Sequence, residues 1–205
     1  MKKINIEHWN RKQHYMHFKD FKDPYFAVTI PFNVTKAYKS SKNDEVSFFS
    51  KYLHDCMKAI NAIDNLKLRI EKDEVVLYEV INASATLMRA DNTFALSYIK
   101  YDENLDVFIN NLESEKQRVL RTNDFYPPID SLDCIHCSAM PWLNFQGHKE
   151  AVSGNRESVP KLAFGKTYKS DGELMMNLAI NVNHALVDGY HVGLFVEEFQ
   201  KNLNN

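Results

Sequence analysis

Near the C-terminus, a strand pattern passes into a helix pattern through the stretch INVNHALVDGYHV, residues 180–192. Every even position over 174–182 is apolar, whereas Asn177 and Asn181 occupy odd positions. This alternation is typical of a strand that buries one face. After the turn at 188–189, apolar residues recur at steps of three and four: Val192, Phe195, Val196, Phe199 and Leu203. A buried strand, a turn and an amphipathic helix are therefore predicted in this order.

The rest of the chain carries a mixture of strand and helix patterns. Apolar spacing predicts two further helices, within 46–63 and 105–119. Further strands are predicted at 26–31, 75–80, 93–100 and 133–138. Because these elements interleave without strict alternation, we predict an α/β fold, an α+β two-layer sandwich with a mixed β-sheet covered by helices.

The organisation of the chain is predicted to be simple. Two stretches, 121–130 and 147–160, have the composition of loops. Neither is followed by a change in composition, so residues 1–205 are interpreted as a single domain.

Composition excludes several classes of function. The chain has 205 residues, with 25 basic against 27 acidic side chains and a formal net charge of −2. This balance predicts no surface for nucleic acid. No signal peptide and no run of about 18 apolar residues is evident, so no membrane association is predicted. With an odd number of cysteines, three, the thiols are expected to be reduced and the protein cytoplasmic.

Cys134, His136 and Cys137 combine C-x-x-C spacing with a histidine, a pattern that also occurs in metal sites. A structural zinc site needs a second pair of ligands at matching spacing, and the sequence shows none. The same residues fit a strand over 133–138, so no metal is predicted.

His184 is the candidate for chemistry within the opening stretch. By parity it continues the apolar row of the strand, so its ring is expected on the side of Val182. A neutral imidazole held rigidly and partly out of water can accept a proton. Asp188 can cap the last helix or pair with a cation. On this pattern alone, a purely structural histidine remains the favoured interpretation.

Three ordered motifs change that interpretation. They are WNRKQHY at 9–15, SAMPWLNF at 138–145 and HALVDG at 184–189. These resemble the W-x-R-[RK]-x-[HY]-F, S-x-x-P-W-x-x-F and H-x-x-x-D-G segments of the chloramphenicol acetyltransferase family. Shorter similarities lie at 92–94 and 164–166. The third motif also occurs in the acyltransferase domain of 2-oxoacid dehydrogenase complexes, but the first two point to the former family.

The resemblance implies a CoA-dependent acyltransferase fold and a reaction. The family transfers acetyl from acetyl-CoA, a co-substrate and not a bound cofactor, to a hydroxyl of chloramphenicol in a ternary complex. His184 matches the general base, and Ser138 matches the serine that donates to the oxyanion. Asp188 and Arg11 match a structural ion pair. The family forms homotrimers, in which His184 of one subunit would face an acceptor pocket built largely by its neighbour.

The acceptor side departs from the family pattern. Phe94 matches an aromatic residue of the acceptor pocket, but Leu96 is larger than the residue typical there. His17-Phe18 stands where the family commonly has Phe-Tyr, and Ala163 replaces a threonine. The segment 146–160 is polar where the family supplies an apolar wall.

Elsewhere, Asn183 replaces the first histidine of a doublet, and Trp142 and Phe145 are expected in the core. Three hypotheses stay open: a chloramphenicol O-acetyltransferase, an acyltransferase for another hydroxyl or amine acceptor, and a non-catalytic family member that binds a ligand or partner. The joint presence of His184 and Ser138 argues against the last.

Overall fold

The fold is described by a computed structural model, which covers residues 1–153 and 157–205. Within these residues the strands are β1 (Lys2–Lys3), β2 (Tyr25–Asn33), β3 (Leu68–Glu71), β4 (Glu74–Leu77), β5 (Asn82–Met88), β6 (Phe94–Leu96), β7 (Cys134–Ala139), β8 (Lys161–Ser170) and β9 (Glu173–Asn183). The α-helices are α1 (Lys12–Phe18), α2 (Thr35–Asn43), α3 (Phe48–Ala62), α4 (Leu105–Arg121) and α5 (Gly189–Leu203). Short 3₁₀ turns lie at Ile6–His8 and Asp64–Lys67.

Six strands form the main sheet, in the order β2-β9-β8-β7-β5-β6. The pairs β5/β7 and β7/β8 are parallel, whereas β2/β9, β8/β9 and β5/β6 are antiparallel. The remaining strands form a small sheet in the order β1-β4-β3. The predicted mixed sheet is thus confirmed.

One face of the main sheet is apolar and carries the helices. On this face Ile135, Leu162 and Ile180 are fully buried. They belong to one core with Met57 of α3 and Phe195 of α5. Full burial of each large apolar side chain contributes about 1.5–3 kcal/mol, so this layer of helices on a sheet holds the fold together.

The opposite face is polar. Ser84, His136, Lys161 and Asn181 lie opposite one another across four adjacent strands, β5, β7, β8 and β9. Side chains alternate between the two faces of a strand, so the residues two positions before and after each of these four lie on the same face of the sheet. We call it the polar face, and it is the face that carries Ser138, two residues beyond His136.

Asparagines of β9 fasten the segment 144–157 across the polar face, as far as that segment is described. Asn177 Nδ2 donates to the carbonyl oxygen of Phe145 at 2.8 Å. Asn181 Oδ1 accepts from the backbone N–H of Glu150 at 3.1 Å. Asn183 Nδ2 donates to the carbonyl oxygen of Glu157 at 2.8 Å. The odd positions of the strand therefore hold a loop, while its even positions fill the core.

Gly165 allows the start of this segment to approach the sheet. A Cβ placed on it would lie 3.2 Å from the carbonyl oxygens of both Leu143 and Asn177. Since this is tighter than ordinary van der Waals contact, a larger residue at 165 would push the segment away.

The three predicted helices are confirmed as α3, α4 and α5, and the predicted strands at 26–31, 133–138 and 174–182 as β2, β7 and β9. Two strand predictions were too long. The strand at 75–80 ends at Leu77, because the chain then crosses to the main sheet. In place of 93–100 there is β6 and a single bridge from Ile99 to Ala83.

The central strands β5 and β8 were missed. In β5, small residues such as Ala83 and Ala85 weaken the apolar alternation, and in β8 the register shifts between Phe164 and Thr167 and interrupts it. The predicted loop at 147–160 includes 154–156, which lie outside the described residues. Within those residues, no helix combines the length and the apolar character needed to cross a bilayer.

Candidate active site

His184 lies in the turn that follows β9, with a fixed ring orientation. Its Nδ1 lies 3.1 Å from the carbonyl oxygen of Val187. A carbonyl can only accept, so Nδ1 carries the proton and a neutral ring exposes Nε2 as its acceptor. Phe18 stacks on one side at 4.2 Å between centroids, and Phe26 contacts the ring at 4.7 Å. Phe26 lies opposite Val182 in the ladder, so the half-buried imidazole occupies the side of Val182.

Asn183 shapes the turn that presents His184. Its Oδ1 accepts from the backbone N–H of Ala185 at 2.9 Å, and its backbone carbonyl accepts from Leu186 and Val187 at 3.0 Å. Because the side chain also donates to Glu157, both ends of the amide are used. The asparagine thus closes the turn and ties it to the loop across the polar face.

Arg11 and Asp188 form an ion pair beside this turn. The side chain of Arg11 is 9% exposed and that of Asp188 28% exposed. Arg11 Nη2 also lies 3.4 Å from the carbonyl oxygen of His184. Burial alone would raise the pKa of Asp188, but the hydrogen bond from Arg11 and the positive charge of Arg11 outweigh it, and the pKa is lowered.

Asp188 also starts α5. Its Oδ1 accepts from the backbone N–H of Tyr190 at 3.0 Å, while its own backbone N–H donates to His191 Nδ1 at 3.2 Å. This reciprocal arrangement is a capping box, with histidine in the place usually taken by Glu or Gln. One carboxylate therefore joins the N-terminal helix α1, the histidine turn and the last helix.

Ser138 lies elsewhere, on the wall of a cavity of about 280 Å³. Phe94 and Leu96, both assigned to the acceptor side, line the same cavity. Ala163 lies opposite Ser138 in the parallel ladder and is fully buried. The structure therefore brings three of the predicted site residues to one cavity, with Ala163 beside them.

The serine and the histidine are far apart within one chain. Ser138 lies opposite Ala163, which lies opposite Ala179. His184 is five residues beyond Ala179 on the chain. That spacing corresponds to about 16 Å along the strand direction, and Ser138 lies two strands away, about 10 Å across the sheet. Phe18 stacks on His184, and the ring of His17 lies 4.7 Å from that of Phe18. The predicted site residues therefore form two groups.

The expectation that Trp142 lies in the core was wrong. Its side chain is 62% exposed, because the chain leaves the sheet after Ala139 and turns at Pro141. Phe145 is half-buried, with its ring against Gly165. Only Phe145 of this pair packs against the sheet.

Sequence reasoning missed the polar residues of the cavity wall, among them Ser84, Thr86 and Lys161. The signal for the first two is the alternation of polar with small residues in NASAT at 82–86. Lys161 became recognisable only through its pairing with His136 in the ladder.

The cysteines do not converge. Cys134 and Cys137 are three positions apart on β7, so their side chains leave opposite faces of the sheet. All three cysteines are free thiols. Among residues 1–153 and 157–205, no group of three His, Cys, Asp or Glu side chains is arranged to hold a metal ion.

Comparison with known proteins identifies relatives that match almost the whole chain. The chain is 23% identical over 206 residues to chloramphenicol acetyltransferase 3 of Escherichia coli, covering 99% of this chain and 97% of that one. A solved chloramphenicol acetyltransferase superposes with a TM-score of 0.86 at 28% identity, covering 98% of both chains. A probable dihydrolipoamide acetyltransferase from Listeria monocytogenes shares the fold, with a TM-score of 0.67 at 15% identity over 98% of this chain and 92% of that one.

A family model described as chloramphenicol acetyltransferase matches residues 1–200. Since the match spans nearly the whole sequence and agrees with the order of the motifs, the protein belongs to the chloramphenicol acetyltransferase family and is an acyltransferase.

Proposed function

We propose that the protein transfers an acetyl group from acetyl-CoA to a hydroxyl of chloramphenicol, in a ternary complex without an acyl-enzyme. The observation that carries this proposal is the state of His184, whose Nδ1 is held by a carbonyl and whose Nε2 is left to accept a proton. The names of the relatives favour chloramphenicol as the acceptor.

His184 acts as the general base. An alcohol is too weakly acidic to attack a thioester at neutral pH, so its proton must leave during the attack. Nε2 takes that proton as the acceptor oxygen bonds to the thioester carbon. When the carbon–sulfur bond breaks, the same proton passes from Nε2 to the sulfur of the departing thiolate. The histidine thus ends the cycle neutral.

Ser138 supplies the hydrogen bond for the intermediate. Negative charge collects on the former carbonyl oxygen during attack, and the Oγ–H of Ser138 donates to it. The methyl group of Ala163, opposite Ser138, provides no second hydroxyl there. Losing one neutral hydrogen bond corresponds to about 1 kcal/mol, which would slow the reaction without preventing it.

We further propose that the site forms between copies of the chain, in a cytoplasmic homotrimer of one domain, residues 1–205. The separation of Ser138 from His184 supports a shared site, since a single chain does not bring them together. The large exposure of Trp142, which follows the Ser138 strand, supports an interface nearby. Free thiols suit a reducing compartment.

The test is the release of coenzyme A from acetyl-CoA, followed with a thiol reagent with and without chloramphenicol. We expect chloramphenicol-dependent release that is lost in His184→Ala. The matched control is His8→Ala, at an exposed histidine outside both groups of site residues. Equal release with and without chloramphenicol would remove this acceptor from the proposal.

A further inference from the structure

The wall of the cavity beside Ser138 is made from the polar face. Ser84 of β5, His136 of β7 and Lys161 of β8 lie opposite one another in the ladders. Thr86 follows Ser84 by two residues, as Ser138 follows His136, so these side chains share one face. The cavity that Ser138 lines is therefore also lined by side chains of the polar face that can form hydrogen bonds.

Three of these side chains have unused hydrogen-bonding capacity. Ser84 is only 8% exposed. Within residues 1–153 and 157–205, the side chains of Ser84, Thr86 and His136 have no hydrogen-bond partner. The Ser84 hydroxyl reaches the cavity and is not among the fully buried atoms that lack a partner. An occupant that displaces water from it must supply a hydrogen bond in return, or the hydroxyl becomes unsatisfied. An apolar occupant would leave these groups unsatisfied.

The charges around the cavity do not favour an anion. Lys161 Nζ is committed to the carboxylate of Glu157 and to the carbonyl oxygen of Ala151. Glu150 also lines the cavity, with Oε1 2.9 Å from His148 Nε2. Lys161 and Glu157 cancel formally, which leaves the negative charge of Glu150.

His136 adds no positive charge at neutral pH. Its pKa is lowered, because the surrounding protein removes water from the charged form and Lys161 lies nearby. Although its ring opens into the cavity, it is therefore neutral and offers one donor and one acceptor.

Polar lining continues beyond the first cavity. A second cavity of about 450 Å³ shares Ser84, Leu96 and His136 with it. This second cavity adds the phenol of Tyr98 and the side chain of Asp130. The shared residues place His136 at the junction, where it can contact an acceptor that occupies both spaces.

We propose that Ser84, Thr86 and His136 form a specificity subsite for a polyhydroxyl acceptor, neutral or cationic, of the amino-sugar type. This inference rests on the proposed acyl transfer and makes chloramphenicol, with its nitrophenyl and dichloroacetyl groups, the poorer acceptor. The bond changes are those given above, with a sugar hydroxyl as the nucleophile.

The test compares four probes: glucosamine, N-acetylglucosamine, gluconate and chloramphenicol. Coenzyme A release measures transfer, and saturation-transfer NMR measures binding independently of turnover. We expect wild type to bind and acetylate glucosamine and to bind N-acetylglucosamine, but to bind gluconate weakly. In His136→Phe, kcat/KM for glucosamine should fall about tenfold, while KM for chloramphenicol falls several-fold.

The matched control is His8→Phe, which makes the same exchange at an exposed position and should leave the ratio of the two kcat/KM values unchanged. Ser84→Ala is a second, smaller change that serves if His136→Phe folds poorly. It should also weaken the binding of glucosamine.

The two proposals fail separately. A wild-type enzyme that acetylates glucosamine but not chloramphenicol keeps the subsite and removes chloramphenicol from the proposed function. Suppose instead that the enzyme turns over chloramphenicol efficiently and that neither variant changes the ratio of the two kcat/KM values more than twofold. This result would support the proposed function and overturn the subsite. Binding of gluconate as tight as that of glucosamine would also overturn it.

Discussion

The imidazole of His184 and the phenyl ring of Phe18 are stacked, with centroids 4.2 Å apart and planes that differ by 6°. Together with the hydrogen bond from Nδ1 to Val187, this contact restricts both rotations of the histidine side chain. Phe18 is the last residue of α1, whose N-terminal end is held through Arg11 to Asp188. The orientation of the His184 ring therefore depends on an element from the other end of the chain.

Phe18→Leu should lower kcat about tenfold, because a base displaced by even 1 Å loses much of its effect. KM for acetyl-CoA is expected to change little. Phe18→Tyr keeps the aromatic face and should recover most of the rate. Steady-state kinetics of the two variants check this, and equal rates in both would show that stacking does not orient the base.

His184→Ala should abolish acetyl transfer while the protein stays folded, since the ring is half-buried and its removal leaves Arg11, Asp188 and Asn183 in place. Coenzyme A release measures the rate, and thermal melting monitors the fold. A variant that keeps more than about a hundredth of the activity would take the base role away from His184, because a general base contributes about 10²–10⁴-fold.

Ser138→Ala should lower kcat about 10²–10³-fold, as expected for one oxyanion donor. KM for acetyl-CoA should stay close to that of wild type, since the hydrogen bond strengthens only as charge develops. Ser114→Ala is a control on the exposed side of α4, where Ser114 bonds only within its helix. An unchanged kcat in Ser138→Ala would return this serine to a structural role.

Mixing two inactive variants tests the shared site. If His184 and Ser138 of different chains meet, refolding His184→Ala with Ser138→Ala should restore about a quarter of wild-type activity, since most random trimers then contain one intact site of three. If both residues act within one chain, the mixture stays inactive. Each variant refolded alone provides the baseline.

Asp188→Asn tests the ion pair without removing the helix cap, because Asn is also a good N-cap. We expect a loss of about 1–3 kcal/mol in the free energy of unfolding at pH 7, less than for a fully buried pair because Asp188 is 28% exposed. Denaturant unfolding measures it. A normal unfolding curve would show that the pair does not stabilise the fold.

The same pair predicts the pH dependence. The pKa of Asp188 is lowered in the folded protein, so its stabilisation is present above the ordinary aspartate pKa and is lost as the pH falls through the lowered value. The stability difference between wild type and Asp188→Asn should therefore be constant above about pH 5 and shrink below it. A difference that grows at acid pH would contradict this assignment.

The local sequence pattern was enough to predict the part of the site that surrounds His184. Alternation along β9, the capping residue at 188 and helical spacing over α5 are all written in neighbouring residues, because burial of one face imposes a period of 2 on a strand and 3.6 on a helix. The order of the three motifs determined the family. Neither conclusion required knowledge of which strands pair.

Only the tertiary structure decided how distant segments meet. No local pattern pairs Arg11 with Asp188, 177 residues away, and only the family resemblance indicated that they meet. The row from Ser84 to Lys161 exists through the registers of β5, β7 and β8. Register between strands depends on packing across the whole sheet, and no local period in the sequence encodes it. For the same reason, the distance between Ser138 and His184 within one chain became visible only in the folded protein.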